Sequence, residues 1–204
     1  MRKDVPEADQ ADALVVIDML NPYEHEDADA LAESVARSLP ALLRLMDRAR
    51  SQRWLTVFVN DNYGDWNAGR RELVDRALGG RHPSLVEPVA ARTGDAFVTK
   101  ARHSAFYETQ LEYILRHEGV TRVILAGQVT EQCILYSALD AYVRHFSIVV
   151  PRDAVAHIHP DLASAAIRMM ERNMGARIVS STSGSEDAPR GVTPPPGLER
   201  AGSR

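Results

Sequence analysis

Short apolar runs alternate along the chain with longer segments in which apolar residues recur at helical spacing. The short runs predict β-strands at residues 13–17, 54–59, 96–99, 123–126, 146–150 and 176–179. The longer segments predict helices at 31–49, 71–78, 109–117 and 130–142, and from residue 160 to about residue 170. Strands that are apolar throughout are typical of a parallel sheet covered on both faces. The pattern therefore predicts an α/β fold with three layers (αβα), in which helices cover both faces of a parallel sheet of about six strands.

Three details of the helices follow from single residues. Pro40 interrupts the first helical segment, which predicts either a kink or a second helix that begins near Ser38. Thr130 is predicted to cap the helix that contains the only cysteine. In the last helix, the apolar residues at positions 162, 166, 169 and 170 are predicted to face inward.

Composition indicates one domain with two polar ends. A chain of 204 residues can bury a substantial core but leaves little room for a second large domain. We expect the domain to span residues 12–179, after a polar and flexible N-terminus at 1–11. Residues 180–204 are rich in Gly, Ser and Pro and poor in apolar residues, so we expect a disordered tail there.

Charge and hydropathy argue against several kinds of partner. The chain has 24 Lys and Arg and 28 Asp and Glu, a formal net charge of −4, and no basic stripe, so we expect no nucleic-acid partner. No apolar run approaches the roughly 18 residues that span a bilayer, and the N-terminus lacks the apolar region of a signal peptide. We therefore expect a cytoplasmic protein without a membrane partner. A single cysteine excludes an internal disulfide, which agrees with a reducing compartment.

The single cysteine, Cys133, lies where reactivity is expected. A strand breaks at Gly127, and the helix that follows should hold Cys133 in its first turn. The N-terminus of a helix carries a partial positive charge, which lowers a thiol pKa, and its free N–H groups can hold an oxyanion. The alternative is structural, because free cysteine is among the most buried residue types.

Two charged residues follow other predicted strands. Asp18 follows the first strand, and Lys100 follows the strand at 96–99. The carboxyl ends of parallel strands share one edge of the sheet, so Asp18, Lys100 and Cys133 should converge there. A carboxylate paired with an ammonium can deprotonate a thiol and stabilise the thiolate. Each residue also has a simpler interpretation, since Asp18 could cap a helix and Lys100 could be a solvated loop lysine.

These motifs resemble those of the isochorismatase-like cysteine hydrolases, which include nicotinamidases and N-carbamoylsarcosine amidases. The resemblance covers residues 12–179 and rests on the strand ending in Asp18, on Lys100 with the Ser-Ala-Phe segment 104–106, and on the Gly-x-x-Thr-x-x-Cys turn 127–133. It implies the Rossmann-like fold of that family and a catalytic triad of Asp18, Lys100 and Cys133. It also implies a cis peptide bond between Gln128 and Val129, and an oxyanion hole formed by the backbone N–H groups of Val129 and Cys133.

The sequence departs from the metal-containing members of that family. Those nicotinamidases place an aspartate and several histidines after the second strand, whereas this chain has Asn-Asp-Asn-Tyr at 60–63, with Tyr63 where a histidine is expected. His157 and His159 resemble a metal pair by type, but no third ligand is apparent. We therefore expect no metal and no other cofactor. His103 follows the lysine, and either a place in the pocket or a structural hydrogen bond would suit it.

The combined prediction is a cysteine hydrolase that cleaves a C–N bond of a small amide, carbamoyl or lactam substrate through a thioester on Cys133. The alternatives are vinyl-ether hydrolysis of the isochorismatase type, which uses no thiol, and a non-catalytic protein that senses oxidants or binds a ligand. Family members are commonly dimers or tetramers, so the resemblance implies a homo-oligomer. The residues expected to line the substrate pocket are Asn60, Asn62, Tyr63, Trp66, Phe106 and Thr130.

Overall fold

The computed structural model describes residues 11–90 and 96–182. The strands are β1 (Ala11–Ile17), β2 (Leu55–Asp61), β3 (Ala96–Lys100), β4 (Val120–Gln128), β5 (Ser147–Pro151), β6 (Val155–Ala156) and β7 (Arg177–Val179). The helices are α1 (Ala28–Ser51), α2 (Arg70–Leu78), α3 (Pro83–Ala90), α4 (Leu111–His117), α5 (Leu135–Val143) and α6 (Pro160–Met174). A π-helical turn, Thr130–Ile134, joins β4 to α5.

The strands form one parallel sheet in the order β3-β2-β1-β4-β5-β7, and β6 pairs with the end of β4. Successive residues of β1 point to opposite faces. Leu14 and Val16 pack in a core under α1, whereas Val15 and Ile17 pack in a second core under the helices of the other face. The predicted three-layer α/β fold is therefore confirmed. The sequence missed β6, because two residues are too short for an apolar run.

The first helix is continuous, so of the two alternatives predicted at Pro40 the second helix near Ser38 is absent. Helix α1 runs from Ala28 to Ser51 with Pro40 inside it. Proline removes one backbone hydrogen bond in a helix interior. Both Pro40 and Ala36, whose carbonyl loses its partner, are exposed, so water can satisfy that carbonyl.

The buried stripe of α6 is narrower than predicted. Leu162 and Met169 were expected to face inward but are 51% and 46% exposed. The residues buried along this helix, Ala163, Ala166, Met170 and Met174, already form one stripe at helical spacing. Leu162 and Met169 lie beside that stripe, at angles that the sheet does not cover.

The folded domain continues past the predicted boundary at residue 179. Ser181 is buried, and its backbone N–H and hydroxyl donate to Asp153 at 2.7 Å each. The hydroxyl of Ser180 donates to the same carboxylate. Residues 180–182 thus belong to the domain, because a carboxylate on a neighbouring loop satisfies their polar groups. The rest of the predicted tail, 183–204, and the N-terminus at 1–10 lie outside the described residues. No helix in the described part of the chain is long and apolar enough to cross a membrane.

Candidate active site

Three side chains from three strand ends meet at the carboxyl edge of the sheet. The Nζ of Lys100 lies 2.9 Å from Oδ2 of Asp18 and 3.7 Å from Sγ of Cys133. The Lys100 side chain is 1% exposed and that of Asp18 is 10% exposed. Cys133 is 7% exposed. The structure thus brings the three predicted residues into one buried ionic cluster.

The backbone at the end of β1 turns sharply to present Asp18. The φ of Asp18 is +55°, and its backbone N–H donates to the carbonyl of Val59. The carbonyl of Asp18 accepts a hydrogen bond from the side-chain amide of Gln128. Hydrogen bonds from both neighbouring strands therefore hold a backbone conformation that non-glycine residues seldom adopt.

Gly127 lets β4 approach the end of β1. Its φ is +112°, and a Cβ built at this position would lie 2.2 Å from the carbonyl oxygen of Ile17. Any side chain would push the two strands apart at the point where Asp18 and the cysteine turn must meet. The glycine is therefore a requirement of the site geometry.

The turn that follows β4 carries the nucleophile candidate. The Gln128–Val129 peptide bond is cis. Val129, not Thr130 as predicted, precedes the first helical residue. The hydroxyl of Thr130 donates to the carbonyl of Ala156 at 2.8 Å, so it ties the turn to β6 instead of capping the helix. A backbone hydrogen bond from Val129 is one of the influences that oppose the raised pKa of Cys133.

Burial and mutual charge decide the protonation of the cluster. Burial and the Asp18 carboxylate raise the pKa of the Cys133 thiol well above that of a free thiol, although Lys100 opposes them. Burial raises the pKa of Asp18 also, and Lys100 opposes this as well. The pKa of Lys100 is raised, because its carboxylate neighbours outweigh the opposite effect of burial. The raised thiol pKa favours a neutral Cys133 beside the contact of Lys100 with Asp18. The sequence had instead predicted a thiol pKa lowered by the helix terminus.

Asp61 is a site residue that the sequence analysis did not single out. It ends β2, where its Oδ2 lies 3.4 Å from Nζ of Lys100. Its backbone N–H donates to Oδ1 of Asp18 at 2.8 Å. The signal available in the sequence was its place two residues after the apolar run at 54–59, whereas Asp18 directly follows its own run.

Of the three histidines considered, only His103 reaches the cluster. It is exposed, its Nδ1 lies 3.8 Å from Sγ of Cys133, and its ring stacks on Tyr136. The Nδ1 of His157 instead contacts the hydroxyl of Ser34 at 3.3 Å. The backbone N–H of His159 donates to Glu131.

A cavity of about 410 Å³ opens beside Lys100 and receives two of the six predicted pocket residues, Asn62 and Trp66. Its other lining residues include Asp65, Arg102, Tyr107 and Glu108. Asn62 is buried, whereas Trp66 is 79% exposed and stands at the rim.

The other four predicted pocket residues have structural partners. The amide of Asn60 bonds to the backbone of Leu20 through both its oxygen and its nitrogen. The hydroxyl of Tyr63 also donates to the Leu20 carbonyl. Phe106 packs in the core against Phe146. Thr130 bonds to β6 as described above. These side chains therefore support the walls of the site and do not line this cavity.

The segment after β2 does not suit a metal ion. One oxygen of Asp61 faces Lys100 and the other accepts the N–H of Tyr63. The Tyr63 ring lies under the guanidinium of Arg76. Among residues 11–90 and 96–182, no three His, Cys, Asp or Glu side chains are grouped so that they could hold a metal.

Comparisons with known proteins agree with the motifs. The model of the isochorismatase domain matches residues 12–183. The uncharacterised isochorismatase family protein YaaI of Bacillus subtilis is 33% identical over 168 residues, which are 82% of this chain and 93% of that protein. The maleamate amidohydrolase of Pseudomonas putida is 31% identical over 157 residues, or 73% of this chain and 74% of that protein. The crystal structure of N-carbamoylsarcosine amidase from Thermoplasma acidophilum has a TM-score of 0.67 and 26% identity, covering 86% of this chain and 99% of that one. The chain therefore belongs to the isochorismatase family, as its motifs predicted.

Proposed function

We propose that this protein is a cysteine-dependent amidohydrolase that cleaves the C–N bond of a small amide or carbamoyl substrate. The observation that carries the proposal is the contact of one buried ammonium, Lys100, with both the Asp18 carboxylate and the Cys133 thiol. Relatives named as an amidohydrolase and an amidase support the reaction class.

Acylation begins with proton transfer from Cys133 to Asp18. The resting thiol is neutral, so it becomes a nucleophile only when the adjacent carboxylate accepts its proton. The raised pKa of Asp18 makes that carboxylate a better base than an exposed aspartate. The sulfur then attacks the substrate carbonyl, and the C–S bond forms as the carbonyl electrons move onto oxygen.

The oxyanion so formed is held by the backbone N–H groups of Val129 and Cys133. The place of Val129 directly before the π-helical turn that holds Cys133 supports this, since free backbone N–H groups at the start of such a turn can hold an oxyanion. Collapse of the intermediate breaks the C–N bond, and Asp18 returns its proton to the leaving nitrogen. The products of this half-reaction are a thioester on Cys133 and a free amine or ammonia.

Deacylation uses the same carboxylate again. Asp18, now ionised, takes a proton from water, the resulting hydroxide attacks the thioester carbonyl, and the C–S bond breaks. The thiolate recovers the proton from Asp18, so the atoms and charges of the site are restored. Lys100 stays protonated throughout and balances the negative charge that moves between Asp18 and the sulfur.

The size and lining of the cavity limit the substrate. The cavity beside Lys100 has about 410 Å³, which suits a small molecule, and Trp66 and Tyr107 offer aromatic surfaces to a flat group. Lys100 lines this cavity, whereas Asp18 and Cys133 do not. No step of this scheme needs a metal, so we expect turnover to survive chelation.

The test is a screen of small amides, carbamoyl compounds and lactams against the wild type and Cys133→Ala. Mass spectrometry after rapid quenching should show an acyl adduct on the wild type. The chain has one cysteine, so blocking by iodoacetamide reports on Cys133 alone. Turnover that persists undiminished in Cys133→Ala would reject the proposal and favour vinyl-ether chemistry, which forms no bond to sulfur.

A further inference from the structure

Asp61 contacts both members of the catalytic ion pair. Its Oδ2 lies 3.4 Å from Nζ of Lys100, and its backbone N–H donates to Oδ1 of Asp18 at 2.8 Å. The pairing of β2 with β3 places Asp61 directly opposite Lys100. The contact is therefore built into the sheet register and does not depend on a loop.

The carboxylate of Asp61 is itself held in place. Its Oδ1 accepts the backbone N–H of Tyr63 at 2.7 Å, which leaves Oδ2 directed at the ammonium. The side chain is 31% exposed, so it lies between the buried cluster and the outside.

The site therefore has one ammonium between two carboxylates. An ammonium that faced Asp18 alone would direct its full charge at that carboxylate and lower the proton affinity of the general base. Lys100 lies 2.9 Å from Asp18 but also 3.4 Å from Asp61, so the second carboxylate takes up part of the charge and hydrogen bonding of the ammonium. This sharing favours protonation of Asp18, which the acylation step requires.

We propose that Asp61 is a positioning residue that acts through Lys100, holding the ammonium between two carboxylates so that Asp18 remains an effective base. This inference rests on the proposed function. The titratable and charged groups that face the cluster are Asp18 after β1, Asp61 at the end of β2, Tyr63 after it, Lys100 at the end of β3, His103 in the following loop, and Cys133 after β4. Burial raises the pKa of Tyr63, so its hydroxyl adds no charge.

The test is Asp61→Asn, because asparagine can keep the bond from Tyr63 while it removes the charge. Iodoacetamide alkylation of Cys133 against pH needs no substrate, and we expect its midpoint to move down by about 1 pH unit. With a substrate, the acid limb of kcat/KM should move in the same direction, and kcat near neutral pH should fall by about 3- to 10-fold because Asp18 becomes a weaker base. An unchanged alkylation curve and acid limb would overturn the inference.

Asp65→Asn is the matched control. Asp65 lies in the loop that follows β2, and its Oδ1 accepts the N–H of Asn67 at 3.0 Å in the same kind of turn. No ion pair between Asp65 and Lys100 is found among the described residues. The variant removes the same formal charge and should move the alkylation midpoint by no more than about 0.3 pH unit, whatever its effect on KM. An equal shift in both variants would mean a general charge effect and would overturn the role assigned to Asp61.

A double variant separates action through the lysine from direct action. In a Lys100→Met background, adding Asp61→Asn should leave the alkylation curve nearly unchanged, and a full shift there would contradict the inference. If Lys100→Met does not fold, the comparison of Asp61→Asn with Asp65→Asn still tests the role of Asp61. Failure of the proposed function is recognised separately, as turnover in Cys133→Ala. An adduct on Cys133 with identical pH profiles in the wild type and Asp61→Asn would reject the role of Asp61 alone.

Discussion

The two ends of β1 each place an aspartate against a buried cation, and the two pairs are built differently. At the amino end, Asp12 lies opposite Arg122 of β4, whose Nε and Nη2 donate to the two carboxylate oxygens at 2.6 and 2.7 Å. At the carboxyl end, Asp18 meets Lys100 through a single contact of 2.9 Å. Both pairs are largely shielded from solvent. A bidentate ion pair thus fixes the amino end of β1, whereas the carboxyl end carries an ion pair with a single contact.

The geometry explains why only one end suits proton transfer. A guanidinium stays protonated, and its planar fork occupies both oxygens of Asp12. Asp18 instead meets three different groups: the ammonium of Lys100, the backbone N–H of Asp61 and the thiol of Cys133. An ammonium is a point charge that leaves the carboxylate able to accept a proton. The Asp12 end holds the strands together, and the Asp18 end can react.

The largest expected effect lies at the Asp18 end and concerns activity. Cys133→Ala should lower kcat by at least about 10⁴-fold, because it removes the atom that forms the thioester. Asp18→Asn should lower it by about 10²- to 10⁴-fold, because the amide accepts no proton. Steady-state kinetics on the best substrate of the screen measures both.

The same two variants need a check on folding. Thermal unfolding should show that each keeps a cooperative transition, and circular dichroism should match the wild type. If Asp18→Asn retains more than about a third of wild-type kcat, the carboxylate is not the base. The Asp18 end of β1 would then not differ from the Asp12 end in its ability to react.

At the Asp12 end, the expected effect concerns stability. Arg122→Met leaves the Asp12 carboxylate without its two-point partner, and the free energy of unfolding should fall by about 3 kcal/mol. The double change Asp12→Leu with Arg122→Met should recover most of that loss, because no unpaired charge remains. Urea unfolding measures both, and kcat/KM per folded molecule should stay near the wild-type value. A large fall in kcat/KM would show that the two ends are coupled.

The pH dependence of kcat/KM tests the raised pKa of Asp18. Burial raises the pKa of Asp18 above its ordinary value of 3.8, so the base is protonated, and inactive, up to a higher pH than an exposed aspartate would be. The acid limb of kcat/KM should therefore lie above pH 3.8, with activity falling about tenfold per pH unit below it. Unfolding measured at the same pH values shows whether the protein is still folded. A limb at or below pH 3.8 would contradict the raised pKa.

The sequence predicted the reactive end of this contrast and not the Asp12–Arg122 end, for identifiable reasons. Apolar runs predict where parallel strands end, so Asp18, Lys100 and Cys133 could be selected as residues at one edge. Asp61 was missed because the apolar run was judged to end at Val59, whereas β2 continues for two polar residues and pairs Asp61 with Lys100. Strand pairing of this kind depends on neighbours that a single sequence does not identify.

The thiol shows a second limit of sequence reasoning. A place near a helix N-terminus predicts a lowered pKa, but that effect competes with burial and with nearby charge. Here Cys133 is 7% exposed and faces the Asp18 carboxylate, and these two influences raise its pKa. Neither burial nor the side chain opposite the sulfur can be read from the position of one residue in its own helix.

The smallest expected effect tests a third carboxylate, which no cation in a described ion pair neutralises. Asp153 accepts hydrogen bonds from Ser180 and from the N–H and hydroxyl of Ser181. Ser180 and Ser181 also line the small cavity beside Asp12 and Arg122, whereas Asp153 follows the carboxyl end of β5. Truncation after Thr182 should leave stability unchanged, whereas truncation after Val179 should lower the free energy of unfolding by about 1 to 3 kcal/mol.

The pH dependence of the stability difference between the two truncated proteins identifies its source. Burial tends to raise the pKa of Asp153, but the hydrogen bonds from Ser181 and Ser180 outweigh it and hold the pKa below 3.8. A carboxyl whose pKa is lowered in the folded state adds stability above its unfolded pKa, and this stability is lost as pH falls through the folded value. The gap in urea midpoint between the two truncations should therefore be widest near neutral pH and shrink below about pH 4. Asp153→Asn in the chain that ends at Thr182 should reproduce part of the loss. Equal stability of the two truncations would mean that Ser180 and Ser181 rest on the domain without stabilising it.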